Sequence, residues 1–322
     1  MREFIIGKND ADQRVDKFLL KTFPELKKGI MCKAVRTKNI KLNGKRCDIS
    51  DHLKEGDVLK VFIKDDLLGK EKKTGNKEKE FSSSKKLEDD EIIYEDENII
   101  LVNKKPGVIV HSDDKITGDT LVDRIRKHLY DNSEYDPENE NSFAPAICNR
   151  LDRNTAGIVV AAKNAAALRE MNRRIRENLI TKKYLCLTSA MPPQKEATIT
   201  AYHCKDSKSN TVKIRSTAAD GYKQIITRYK VLEKCEKAVL VEVELITGRT
   251  HQIRAHMAFI GAPVIGDRKY GIKKVNDEHD LKYQALCAYK IKFDRCEDEN
   301  VLSYLDSKEF QTMNVWFLEK YF

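Results

Sequence analysis

The sequence predicts an α+β protein in two parts: a large domain on a mixed, mainly antiparallel sheet with flanking helices, and a small α/β domain at the N-terminus. Three observations predict it. From Lys183 onward strand-like segments follow one another with few strand-helix-strand crossovers, which disfavours a parallel sheet. Residues 12 to 23 and 28 to 36 are helical in pattern and precede a short alternating hairpin, as in a separate small fold. Between the two parts, residues 65 to 90 are poor in apolar side chains and rich in Lys, Glu, Ser and Gly, the composition of a flexible linker. The expected domains are therefore 1–64 and 91–322, with 65–90 joining them.

In the small domain, Val15, Phe18, Leu19 and Phe23 share one helical face. A second short helix is expected over Lys28 to Arg36. Ile40 to Arg46 alternates about an Asn43-Gly44 turn, and Asp57 to Ile63 supplies a last strand.

The large domain opens with strands at Ile92-Ile93-Tyr94 and Ile99 to Val102, and Pro106-Gly107 marks a turn into a further strand toward His111. Thr120 to Tyr130 carries Leu121, Val122, Ile125 and Leu129 on one helical face, and the acidic stretch 131–142 reads as a surface excursion. Asn164 can cap a helix running to about Leu179, with Leu168, Met171, Ile175 and Leu179 as its buried stripe and Arg173, Arg174 and Arg176 off it, on a solvated or phosphate-facing side. Strands are expected at 183–187, 197–203, 210–215, 222–232 and 238–246, and a helix over Thr250 to Ile260.

The net charge is +9, of which +7 falls in residues 1 to 64, −1 in 65 to 90 and +3 in the rest. A compact basic module beside a nearly neutral body suits a polyanion-binding appendage, although a lysine-rich surface style gives the same count. The eight cysteines are scattered without a C-x-x-C pair, which argues against a zinc ribbon, an iron-sulfur site or a secreted disulfide framework and for a reducing cytoplasm. No run of about 18 apolar residues suggests a membrane span.

Two stretches carry the candidate chemistry. Asn149-Arg150-Leu151-Asp152-Arg153-Asn154-Thr155-Ala156-Gly157 sets one carboxylate between two arginines ahead of the apolar run Ile158 to Ala162. Thr247-Gly248-Arg249-Thr250-His251-Gln252-Ile253-Arg254-Ala255-His256 follows the β-patterned Val239 to Ile246. Alone, Asp152 reads first as a structural ion-pair partner and Tyr184 as an ordinary strand aromatic. His251 and His256 are five apart, a spacing that splays them on a helix and disfavours a metal pair.

Together with Lys183-Tyr184 between them and Gly266-Asp267-Arg268-Lys269-Tyr270-Gly271 after them, these stretches resemble the RluA family of pseudouridine synthases in content and order, from about Ile92 to Phe293. The N-terminal stretch resembles the RNA-binding domain named for ribosomal protein S-four. The resemblance implies site-specific isomerisation of uridine to pseudouridine in structured RNA, most of all large-subunit ribosomal RNA. It implies Asp152 as the catalytic carboxylate, nucleophile or base, with Tyr184 on the target base. It implies Arg254 as the partner that keeps the acid ionised, Arg249 being the alternative. Arg150, Arg249 and Ile253 are expected to bind substrate in the cleft, and Lys27, Lys28, Lys33, Arg36, Lys38 and Lys41 to bind it as a group. Since the isomerisation gains and loses no atoms, no cofactor and no metal are expected. RNA is the expected partner, with no membrane, for a monomer in the cytoplasm.

Asn149 stands where this family commonly has His, and Leu286-Cys287-Ala288 where a His-Ala pair is frequent. A non-catalytic RNA-binding or ribosome-assembly protein on the same fold is the rival reading.

Overall fold

Phe4, Phe18 and Phe23, met edge to face at 5.6 and 5.8 Å, form the centre of the N-terminal fold in the computed structural model, which describes residues 1–68, 81, 83–111, 119–206 and 211–322. Around them stand β1 (Arg2–Ile5), α1 (Val15–Thr22), α2 (Lys28–Arg36), β2 (Ile40–Leu42), β3 (Lys45–Arg46) and β4 (Val58–Val61). The four strands pair antiparallel in the order β1-β4-β2-β3. Val15, Phe18, Leu19 and Phe23 are all sealed from solvent, so the expected helical face is the buried one. Strand β1 was not expected from the sequence; it exists because Phe4 faces the core while its backbone completes the edge of β4.

The described residues fall into two compact units. The first collects those of Met1–Leu87, Asp114–Ala146 and Ala162–Arg169, the second those of Glu88–Asp113, Ile147–Ala161 and Glu170–Phe322. Two expectations need correction within the first. The described ends of the proposed linker are built into the fold: α3 (Asp65–Leu68) buries Leu68, and Phe81 and Leu87 are buried as well. Residues 69–80 and 82, the middle of that linker, lie outside the described residues. The acidic stretch 131–142 is also more than a surface excursion, because Asn141 Nδ2 and Ser142 Oγ donate to the buried Asp10 carboxylate at 2.7 and 2.6 Å. Ahead of it, α4 (Leu121–Asp131) starts in a reciprocal Thr120–Asp123 capping box and buries the four apolar residues expected of it.

The second unit carries most of an eleven-stranded sheet among the described residues. Its strands are β5 (Ile92–Glu95), β6 (Ile99–Lys104), β7 (Ala146–Ile147), β8 (Ala156–Ala162), β9 (Ile180–Thr188), β10 (Glu196–Asp206), β11 (Thr211–Arg215), β12 (Lys223–Lys234), β13 (Val239–Leu245), β14 (Leu286–Phe293) and β15 (Glu309–Gln311). The order is β11-β10-β12-β13-β9-β14-β8-β6-β5, with β15 on β14 and β7 on β8. Between β14 and β8 the pairing is parallel, and antiparallel ladders make up most of the rest, so the sheet is mixed and mostly antiparallel as expected. No strand follows Pro106-Gly107; residues 105–111 run as turn and bend, with Gly107 at φ +90°. The helices are α5 (Ala165–Arg176), α6 (Gln252–Phe259) and α7 (Lys273–His279).

Helix α5 departs from its expected face. Ala167, Glu170, Met171 and Arg174 are buried, while Leu168, Ile175 and Leu179 are half-buried. Arg174 is fully enclosed, donating to Glu170 and Asp306, each at 2.8 Å, and is therefore unavailable to phosphate. Paired charge made an interior position out of a residue that composition assigns to solvent.

Candidate active site

Asp152 sits in the loop that feeds β8, and three devices hold that loop. Asn149 extends the ladder with its side chain, its Oδ1 accepting from the Val160 amide at 2.7 Å and its Nδ2 donating to the Ile158 carbonyl at 3.2 Å. The buried Lys104 donates to the carbonyls of Lys105, Val108 and Arg153 at 3.0 to 3.2 Å, fastening the 105–108 turn to the acid's own loop. Gly157, at φ +109°, lies so close to β14 that a Cβ there would meet the Ala288 carbonyl oxygen at 2.2 Å. The missing side chain is what lets β8 and β14 run side by side behind the acid.

The second stretch turns sharply out of β13 and starts α6, two residues later than Thr250. His251 is left-handed at φ 53°, and buried Gln252 clamps the turn, accepting from the Arg249 amide at 3.0 Å and donating to the Ile226 carbonyl at 3.1 Å. Two residues on, Arg254 is 6% exposed. Its Nη1 donates to Asp152 Oδ2 at 2.8 Å, and its Nε and Nη2 fork onto the two oxygens of Asp267 at 2.7 and 2.9 Å. The guanidinium also lies over the Tyr270 ring, 5.3 Å from its centre.

Electrostatics follow from that arrangement. Burial alone would raise the Asp267 carboxyl, yet the Arg254 fork and the Lys269 and Tyr270 amides hold it below the usual carboxylate range. Burial works against the Arg254 charge too, and is outweighed by Asp267 and Asp152, which push it upward. Tyr184 is buried on β9, and that burial, reinforced by the Asp152 charge, raises its phenol well above the ordinary value. His251 lies with Nε2 3.9 Å from Asp152 Oδ2; burial draws it down to about 4 even though Asp152 pulls the other way.

Asp152, Tyr184 and Arg254 all line one cavity of 860 Å³, as do Arg150, Arg249 and Ile253. The Asp152 side chain keeps 28% of its surface exposed, enough for contact with whatever enters. Among the described residues, eight arginines and lysines line the space and Asp152 is the sole carboxylate among them. Such a wall attracts a polyanion and presents it with a single acid. Arg249 is exposed and does not pair with Asp152; Arg254 does. Ile253, 4% exposed, belongs to the apolar part of the wall. Lys27, Lys28, Lys33, Arg36 and Lys38 are all exposed on or beside α2, while Lys41 is half-buried, 5.7 Å from the Phe62 ring centre.

His251 and His256 diverge, His251 Nδ1 meeting the Tyr270 hydroxyl at 2.9 Å and His256 Nδ1 the Thr227 hydroxyl at 3.0 Å. Among the described residues no cluster of His, Cys, Asp and Glu is arranged to hold a metal, and no helix is long and apolar enough to cross a membrane.

The Gly266-Asp267 stretch stands out in the sequence, yet its pattern assigns no work to Asp267 or Tyr270, nor does the earlier stretch assign any to Gln252. The signal for Asp267 was present: a glycine before an acid. Gly266 takes φ +79°, and a Cβ there would strike the Tyr283 carbonyl at 2.2 Å, so the glycine admits the turn that seats Asp267 under Arg254.

The profile of a family described as RNA pseudouridylate synthase matches residues 98–259. An uncharacterised RNA pseudouridine synthase of Mycoplasma capricolum is 33% identical over 96% of this chain and 96% of its own. Ribosomal large subunit pseudouridine synthase C of Rickettsia felis is 31% identical over 81% of this chain and 83% of its own. Among solved structures, human RNA pseudouridylate synthase domain containing 4 superposes with a TM-score of 0.53 at 19% identity, covering 69% of this chain and 87% of that one, a likeness of fold.

Proposed function

The chain belongs to the RNA pseudouridylate synthase family and is an RNA pseudouridine synthase, and from that premise we propose that it isomerises selected uridines of large-subunit ribosomal RNA with Asp152 as its catalytic carboxylate. The observation that carries the assignment is the single ion pair of Arg254 Nη1 with Asp152 Oδ2, made by a guanidinium whose other nitrogens are taken by Asp267.

In the reaction the C1′–N1 bond breaks, the uracil turns, and a C1′–C5 bond forms; the C5 hydrogen leaves as a proton and a proton ends on N1. Asp152 acts at the sugar, as nucleophile or as base, through Oδ1, the oxygen that Arg254 leaves free. Tyr184, a phenol raised by burial, serves as a face for the base and as a hydroxyl that can accept or give a proton late in the reaction. A cavity of 860 Å³ falls within the range that takes a small molecule, about 300 to 1,000 Å³. The target nucleotide enters it everted, at a cost of about a few kcal/mol that loops and bulges reduce. Residues 1–64, read as an S-four-like RNA-binding domain, offset the remainder with contacts remote from the reacting atoms.

The test is to map pseudouridines in total RNA from cells with the wild-type chain, without it, and with Asp152→Asn. Positions that disappear without the chain and are unrestored by Asp152→Asn, at unchanged RNA affinity, support the reading. Equal loss of conversion and affinity in the variant returns Asp152 to a binding or folding role.

A further inference from the structure

Strand β9 sends alternate side chains to opposite faces, and its three consecutive polar residues have unequal fates. Thr181 and Lys183 share one face and each finds an acid: the Thr181 hydroxyl donates to Asp294 at 2.8 Å and the Lys183 ammonium pairs with Glu242 at 2.9 Å. Lys182 faces the other way, with Tyr184, and lines the same cavity. Only part of its surface is exposed, and no hydrogen bond or ion pair meets its ammonium among the described residues. Burial pulls this ammonium below the usual lysine range, and no neighbouring carboxylate offsets it.

Drawing an ammonium away from water without an anion is unfavourable, and among the described residues a carboxylate stands beside each neighbouring polar residue but none beside this one. The wall of the cavity is complete when an anion arrives from outside. Among the parts of an RNA strand only the phosphate carries charge.

We propose that Lys182 is an RNA-binding residue inside the cavity, its ammonium taking a phosphodiester oxygen of the strand that flanks the everted nucleotide. The assignment rests on the reading of this cavity as the uridine site, and it adds a contact that orients the strand rather than one that reacts. A buried cation also gives the cavity a reason to prefer a nucleotide within a chain to a free nucleoside, which brings no phosphate.

The experiment uses the full chain and an RNA transcript carrying a position that the wild type converts in cells. Lys182→Gln is expected to raise KM about tenfold with kcat within about twofold, the signature of lost uniform binding. It should also reduce the slope of log(kcat/KM) against log salt by about 0.7, one single-strand phosphate. Lys182→Arg restores KM. Without RNA, Lys182→Gln should melt no lower than wild type, since an uncompensated charge has been removed. A fall in kcat at unchanged KM, an unchanged salt slope, or a clearly lower melting temperature each overturns the proposal, pointing to a chemical or structural role instead. If the wild type converts no transcript, the reading of the site has failed; if it converts one and Lys182→Gln matches it, this inference alone has failed.

Discussion

Asp267 grips Arg254 by both carboxylate oxygens, at 2.7 Å to Nε and 2.9 Å to Nη2, and so leaves one guanidinium nitrogen to reach Asp152. A fork of two parallel bonds fixes the plane of the guanidinium as well as its position. Asp267 is fully buried and touches nothing that enters the cavity; it acts through Arg254.

Asp267→Asn keeps the shape and removes the charge. One partner of a buried pair is then missing, which costs about 3 to 5 kcal/mol. The expected outcome is a lowered melting temperature together with at least a tenfold loss of kcat at unchanged KM, since the aim of Arg254 at Asp152 loosens. Wild-type kcat in a destabilised protein would confine Asp267 to folding.

Tyr184 separates two functions that share one ring. Tyr184→Phe keeps the aromatic face and loses the hydroxyl; if the phenol supplies a proton, single-turnover rates fall by about a hundredfold or more at unchanged RNA affinity. Tyr184→Leu should lose more. Near-full activity in the Phe variant would leave stacking as the role of this residue.

Acid should weaken the fold before the carboxylates titrate. His251 and His256 are both held down to about 4 by burial, against about 6.5 in an unfolded chain. Between those values the unfolded state binds more protons, so stability is fully present above about pH 6.5 and is lost as pH falls toward 4. The depressed Asp267 carboxyl acts in the same direction at lower pH, its contribution disappearing only as pH falls below about 3.9. Melting temperature measured from pH 8 to pH 4 should be level at first and then decline. His256→Gln should shrink that decline. A curve flat down to pH 4.5 would mean that the histidines titrate freely.

The basic group on the small domain predicts a salt effect. Changing Lys27, Lys28, Lys33, Arg36, Lys38 and Lys41 to Gln should weaken RNA binding and flatten the dependence of log affinity on log salt by about 0.7 to 0.9 for each phosphate no longer neutralised. An undiminished slope would remove these residues from the interface.

Local chemistry was largely legible. The helix expected over residues 28 to 36 is present, and the spacing of Leu121, Val122, Ile125 and Leu129 marks the buried face of α4. Strand β1 was not legible because four residues at a chain end carry little pattern of their own, and only the edge of β4 makes them a strand. The α5 stripe misleads for a related reason: Arg174 is interior only because Asp306, more than a hundred residues away, comes to neutralise it.

By itself the sequence determined the α+β class, the mostly antiparallel sheet, the family, and the presence of one acid and one arginine in motifs of the right content and order. Those properties are written in short spacings and residue types, which survive without coordinates. Only the tertiary structure decided that Arg254 rather than Arg249 meets Asp152, that Asp267 aims it, and that Lys182 lines the cavity with no anion beside it among the described residues. Each of these is a statement about charges brought together from distant parts of the chain. Coulombic partnership depends on distance in space and on exclusion of water, and neither quantity is encoded at any single position.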